Sequence, residues 1–228
     1  MTHRTRIKIC GLTREADVEA AAAAGADAVG FVLYARSPRH VSPARALELA
    51  RRLPPYVTPV LLFVNQAVDE VRAILRDHPG ALAQFHGDET PAHCEAAAGA
   101  PFRYVRAVRM TPDVDLQGVA LAHPGAQALL LDAHVDGYGG AGRVFDWSWV
   151  RARARLPYIL AAGLTPDNVA DGVLRVRPWA VDVSSGVESA RGIKDTALMR
   201  RFCQAVRDAD ARIADLSRDE AAAAAPEH

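Results

Sequence analysis

The sequence predicts an α/β fold, a (β/α)8 barrel in a single domain, and three observations carry that prediction. Eight short apolar runs alternate with helical segments along the 228 residues. The runs are rich in Val, Leu and Ala on both faces, as a parallel sheet covered by helices requires. The turn after the first run reads Cys10-Gly11-Leu12-Thr13, where an open doubly wound sheet would carry a glycine fingerprint.

The first strand is expected over residues 6–10, and its alternation sends Lys8 and Cys10 to one face and Ile7 and Ile9 to the other. Further strands are expected over 27–33, 58–64, 81–86, 102–108, 127–132, 157–162 and 179–184. A hydroxyl residue before proline marks helix starts at Ser42-Pro43, Thr90-Pro91, Thr111-Pro112 and Thr165-Pro166. Ser or Thr caps the free amides there, and proline at the next position loses no needed donor. Asp146 and Asp195 are expected to cap two more helices. In the last helix Leu198, Phe202, Ala205, Val206, Ala209 and Ile213 fall on one face. The barrel is expected to span 1–213, with the Ala-rich 214–228 a frayed or disordered tail.

Composition narrows the class of partner. Formal net charge is zero, so the chain lacks the electrostatic footprint of a nucleic-acid binder. No apolar run approaches the ~18 residues of a membrane span, and the polar residues 1–6 lead into a strand without a leader pattern. Cys10, Cys94 and Cys203 lie far apart, without CxxC or metal spacing, which predicts reduced thiols, a cytoplasmic setting and no metal centre. Lys8 and Lys194 are the only lysines, and arginine supplies every other strong positive charge.

Barrels of this class carry their chemistry at the carboxyl ends of the strands. Strand one delivers Cys10, which alone reads as a small buried hydrophobe or a reactive thiol. The loop after strand two holds Arg39, whose fork can take a carboxylate bidentately or lie solvated on the surface. His86, on one face with Gln84 at the end of strand four, is placed to hydrogen-bond a substrate or to close a turn. Asp132 ends the apolar strand six; it is either a cap or a carboxylate under the glycine-rich loop 136–143. The loops after strands seven and eight, around Gly163 and Ser184-Ser185-Gly186, have the small residues of a phosphate site, or of tight turns alone. Parity also places Lys8 beneath Cys10 inside the barrel, on a level where Asp182 can neutralise it. That cation is expected to favour the Cys10 thiolate.

The motifs taken together resemble those of the phosphoribosylanthranilate isomerases. They are Lys-Ile-Cys-Gly-Leu-Thr at 8–13, Gly-Phe-Val at 30–32, Ser-Pro-Arg at 37–39, Gln-Phe-His-Gly at 84–87 and Leu-Leu-Asp at 130–132. The glycine loop ending Phe145-Asp146-Trp147, Leu-Ala-Ala-Gly-Leu at 160–164, and Asp182 to Glu188 with Gly192-Ile-Lys-Asp195 complete the set. One departure is Ala141, where the family usually has a hydroxyl residue. The resemblance implies an Amadori rearrangement of N-(5-phosphoribosyl)anthranilate in tryptophan biosynthesis, with Asp132 as general acid and Cys10 as general base. It implies substrate contacts from Arg39, His86 and Asp182, and phosphate contacts from Gly142, Gly163, Ser184, Ser185 and Gly186. No metal or organic cofactor is implied; the only partner is the small phosphorylated substrate, and the enzyme would be a monomer or homodimer. A sibling histidine-pathway isomerase would place an aspartate where Cys10 stands, and a binder without activity would lack Cys10 or Asp132.

Overall fold

The computed structural model describes residues 4–133, 144–150 and 154–223. Eight parallel strands close into a barrel in chain order: β1 (Arg6–Cys10), β2 (Ala28–Val32), β3 (Thr58–Phe63), β4 (Leu82–Phe85), β5 (Tyr104–Met110), β6 (Ala126–Ala133), β7 (Tyr158–Leu160) and β8 (Ala180–Val183). The ring shuts where β8 pairs with β1, Lys8 standing opposite Asp182. Helices α1 (Glu15–Ala24), α2 (Pro43–Ala50), α3 (Val68–Asp77), α4 (Pro91–Ala98), α5 (Leu116–Ala122), α6 (Val169–Val176) and α7 (Thr196–Ala223) cover its outside.

Strand parity separates two apolar regions. Ile7, Ile9, Val29, Phe31, Leu61, Phe63, Phe85, Leu129, Leu131, Val181 and Val183 point outward and join the helices in the main core. Burying each such side chain contributes about 1.5–3 kcal/mol, so this shell carries most of the stability. Alternate residues fill the barrel itself: Val105, Ala107, Ala128, Leu130, Ile159, Ala161 and Ala180 form one cluster. Cys10, Val32, Leu62 and Val64 form another. α7 seals the wall beside β1 with Met199, Phe202, Cys203, Val206, Ala209 and Ile213, all buried and at helical spacing.

Capping follows the sequence at Ser42 and Thr90, whose hydroxyls accept from the amides of Arg45 and His93. Asp195 accepts from Leu198 N at the start of α7, and Asp146 caps a short 3-10 helix, Trp147–Trp149. Two helix starts lie further along than their Thr-Pro signals. Thr111 closes a turn with Val114, and α5 begins only after Asp115, whose carboxylate accepts from Gly118 N. Thr165 likewise sits in a turn braced by Asn168, and α6 follows from Val169. α7 does not stop near residue 213 but runs on as one helix to Ala223.

Candidate active site

The carboxyl ends of the strands open onto a cavity of about 90 Å3. Cys10, Arg39, Gln84, His86, Asp132, Gly163, Asp182, Ser184 and Ser185 all line it, with Val32, Tyr34, Leu62 and Val64 as an apolar wall. Residues drawn from seven of the eight strands and their loops thus converge, because the inward-facing positions at the carboxyl ends of parallel strands meet at one mouth of the closed barrel. Gly142 and the loop 136–143 lie outside the described residues.

Beneath the cavity floor Lys8 Nζ reaches both oxygens of Asp182, at 2.8 and 2.9 Å, with both side chains buried. Burial opposes the Lys8 charge, but the Asp182 carboxylate and the neighbouring Cys10 outweigh it and hold the ammonium above its ordinary value. Asp182, read from sequence as a substrate contact, therefore has both oxygens engaged by Lys8. Cys10 stands directly above this pair, opposite Gly30 in the sheet register. A Cβ at Gly30 would come within 2.6 Å of the Cys10 sulfur, so only glycine leaves room for the thiol.

One expectation is corrected here. Lys8 does pull the Cys10 thiol downward, but burial is the larger influence and the thiol lies above its ordinary value. Depth of burial, which the sequence does not display, decides the direction.

Across the cavity Asp132 lies at the end of β6, behind the fully buried Leu129, Leu130 and Leu131. Its Oδ1 accepts from the Ala133 amide at 2.9 Å, and its Oδ2 is 2.9 Å from His86 Nε2. The other ring nitrogen, Nδ1, is 3.0 Å from the Gln84 amide nitrogen. An amide N–H facing Nδ1 makes Nδ1 the acceptor, so Nε2 carries the hydrogen and donates to Asp132. His86 thus neither closes a turn nor stands free; it bridges Gln84 and Asp132. The turn that carries it is fixed by buried Glu89, which accepts from the amides of Asn65 and Gly87 at 2.7 and 2.8 Å. Arg106 Nη1 pairs with Glu89 at 2.8 Å.

The loops after β7 and β8 meet at Gly186, where a Cβ would run into the Leu164 carbonyl. Gly186 does not itself line the cavity, whereas Gly163 and Ser185 do. Asn168 braces the first loop by accepting from Thr165 N and donating to the Gly163 carbonyl. Among the described residues the Gly163 and Leu164 amides donate to no acceptor. The Ser184 hydroxyl donates to the Cys10 carbonyl at 3.0 Å, so its hydrogen is committed within the protein. Arg39, expected to be open to a carboxylate, has its Nε and Nη2 on Glu188 at 2.7 and 2.8 Å. Glu188, Lys194, Gln84, Glu89 and Arg106 were not read as site residues from sequence. Gln84 shared a strand face with His86 and Lys194 was one of two lysines, which were the available signals. Among the described residues no cluster of His, Cys, Asp and Glu is placed to share a metal ion, and no helix is long and apolar enough to cross a membrane.

The cavity thus gathers a thiol, a carboxylate bonded to an imidazole, a guanidinium and two small-residue loops at one mouth. Known proteins resemble this chain over nearly its whole length. The family model described as "N-(5'phosphoribosyl)anthranilate (PRA) isomerase" matches residues 7–205. The N-(5'-phosphoribosyl)anthranilate isomerase of Leptothrix cholodnii is 64% identical over 214 residues, 94% of this chain and 96% of its own. That of Methylibium petroleiphilum is 65% identical over 211 residues, 92% of this chain and 98% of its own. Among solved structures, the phosphoribosyl anthranilate isomerase of Thermotoga maritima superposes with a TM-score of 0.82 at 35% identity, covering 90% of this chain and 99% of that one. Another, at TM-score 0.78, 33% identity and 90% and 99% coverage, holds reduced 1-(o-carboxyphenylamino)-1-deoxyribulose 5-phosphate. A third is described as monomers generated from the dimeric Thermotoga maritima isomerase. With the barrel and nearly the whole length of the sequence in agreement, the chain belongs to the N-(5'-phosphoribosyl)anthranilate isomerase family.

Proposed function

We propose that Asp132 and Cys10 are the acid and base with which this enzyme carries out the Amadori rearrangement of N-(5'-phosphoribosyl)anthranilate in tryptophan biosynthesis. The observation that carries the assignment is that the two side chains line one cavity, Asp132 tied to His86 and Cys10 set above the buried Lys8–Asp182 pair. Asp132 gives a proton to the furanose ring oxygen, the C1–O bond breaks, and the anilino nitrogen stabilises the open chain as a cationic imine. Cys10 then takes the proton from C2. The enol that results shifts a proton to C1 and becomes the ketose, so the product is an isomer of the substrate.

Burial holds the resting Cys10 as a thiol. The cationic imine appears beside it only after ring opening, and that charge favours the thiolate at the moment a base is needed. His86 serves Asp132 in both of its states. With the Gln84 NH2 toward Nδ1, Nε2–H steadies the Asp132 carboxylate; with the amide turned over, Nε2 accepts the proton that Asp132 bears. Arg39 takes the anthranilate carboxylate, while Gly163, Ser185 and Gly186 bring amides to the phosphate, with Ser184 contributing through its backbone. Two anion anchors hold the reacting carbons between acid and base, and such positioning contributes several kcal/mol to the barrier. Proton transfers alone complete the reaction, so no cofactor enters.

Three buried, unbridged cysteines support a reducing, cytoplasmic setting, and the dimeric relative supports a monomer or homodimer. Adding purified protein to substrate freshly condensed from anthranilate and ribose 5-phosphate is expected to quench the anthranilate fluorescence as the ketose forms. An unchanged signal at high enzyme would refute the assignment.

A further inference from the structure

Glu188 and Lys194 face each other in a small antiparallel hairpin, β9 (Glu188–Ala190) and β10 (Ile193–Lys194), with Lys194 opposite Glu188 in register. The hairpin is pinned to the first βα loop. Thr13 Oγ1 donates to the Gly192 carbonyl at 2.9 Å, and Asp17, itself held by Arg14, accepts from Lys194 N at 3.3 Å. The outcome is one buried carboxylate gripped from two sides. Glu188 takes Arg39 Nε and Nη2 and also Lys194 Nζ, the last at 2.8 Å. Lys194 Nζ adds the Ser184 carbonyl at 3.0 Å, and its side chain is 0% exposed.

A guanidinium has two edges that can bind a carboxylate bidentately: the Nε–Nη2 side and the Nη1–Nη2 end. Glu188 occupies the first. The second is left over on a residue that lines the cavity, and Nη1 donates to no described residue. Charge points the same way. Arg39 and Lys194 are both positive against one Glu188, while Lys8 and Asp182 below cancel. One positive charge is therefore in excess where an anion is to be received.

We propose that Glu188 and Lys194 are positioning residues for Arg39: Glu188 fixes one edge of the guanidinium so that the other is presented to the substrate's aromatic carboxylate, and Lys194 keeps the cluster positively charged. The proposal rests on the assignment of Arg39 to that carboxylate.

The test uses two substrates, the condensates of ribose 5-phosphate with anthranilate and with aniline, which lacks the carboxylate; the ketose products are followed by chromatography. Lys194→Met is expected to raise KM for the anthranilate substrate about tenfold, the loss of one charge-assisted contact, with kcat changed less than about threefold. KM for the aniline substrate stays put, and Lys194→Arg recovers most of the loss. Glu188→Gln, measured alongside in case Lys194→Met folds poorly, is expected to show the same split. Equal changes on both substrates, or none on either, would overturn the clamp. Arg39→Ala separates the two layers. If it discriminates between the substrates and the hairpin variants do not, the clamp alone is wrong. If Arg39→Ala does not discriminate either, the carboxylate assignment itself falls.

Discussion

Asp132→Asn is expected to lower kcat by about 10^3-fold or more while leaving KM within about threefold. The amide keeps the shape and still accepts from the Ala133 amide, but it has no acidic proton for the ring oxygen. General acid catalysis by one positioned group is worth about 10^2–10^4 in rate, and here the acid initiates the reaction. With its oxygen on the Ala133 amide, the variant turns its NH2 to His86 Nε2, which accepts once the Gln84 amide turns over, so the ring is not forced out of place. Cys10→Ala should be comparably slow at saturating substrate, because no other side chain in the described cavity wall lies at the Cys10 position to take the C2 proton. Fluorescence-monitored turnover with binding measured separately decides the matter. Near-normal kcat for Asp132→Asn would remove it from the role of acid.

Lys8→Met is expected to cost about 3–5 kcal/mol of stability, since it strands the Asp182 carboxylate inside the barrel. For a chain of this size that corresponds to a melting temperature lower by about 10 °C. The double variant Lys8→Met/Asp182→Leu should regain most of the loss, because a well-packed apolar pair commonly replaces a buried ion pair without penalty. The pH dependence follows from the direction of the Lys8 shift. Its ammonium is held above its ordinary value of 10.5 in the fold. The Lys8 contribution is thus fully present below about pH 10.5 and is lost as pH rises through the folded value. Thermal melts of wild type, single and double variants at neutral and alkaline pH test this, and a single variant as stable as wild type would contradict it.

The barrel was legible because alternation and apolar runs dictate it locally: all eight strands lie within about two residues of where Val, Leu and Ala runs place them. The hydroxyl-proline signals succeed at Ser42 and Thr90 but not at Thr165 or at Thr111, where the Asp115 carboxylate offers the next helix a cap four residues later. Parity also brought Cys10, His86, Asp132 and Ser184 to one cavity, because the carboxyl ends of parallel strands in a closed ring necessarily converge. What parity cannot show is who bonds whom across the loops. Glu188 meets Arg39, 149 positions away, through a hairpin register that no local pattern announces. The Cys10 thiol was misjudged for a related reason. A neighbouring charge can be read from spacing, but the depth that outweighs it exists only once the helices have closed over the sheet.

The seam between β1 and β8 has a consequence for how the chain behaves before it is finished. Lys8 and Asp182 lie 174 residues apart, so the strands that carry them wait longest for a partner. Until they meet, each is an open sheet edge, and open edges recruit the edges of other chains. An inward-pointing charge on an edge strand discourages such pairing, because no copy of the same strand can neutralise it. Lys8 and Asp182 each supply that charge to their own edge and surrender it only to each other. The double variant that restores thermal stability is accordingly expected to refold in lower yield than wild type as protein concentration rises, with the shortfall appearing as aggregate in light scattering. Equal yields across concentration would mean that the edges are guarded by something else.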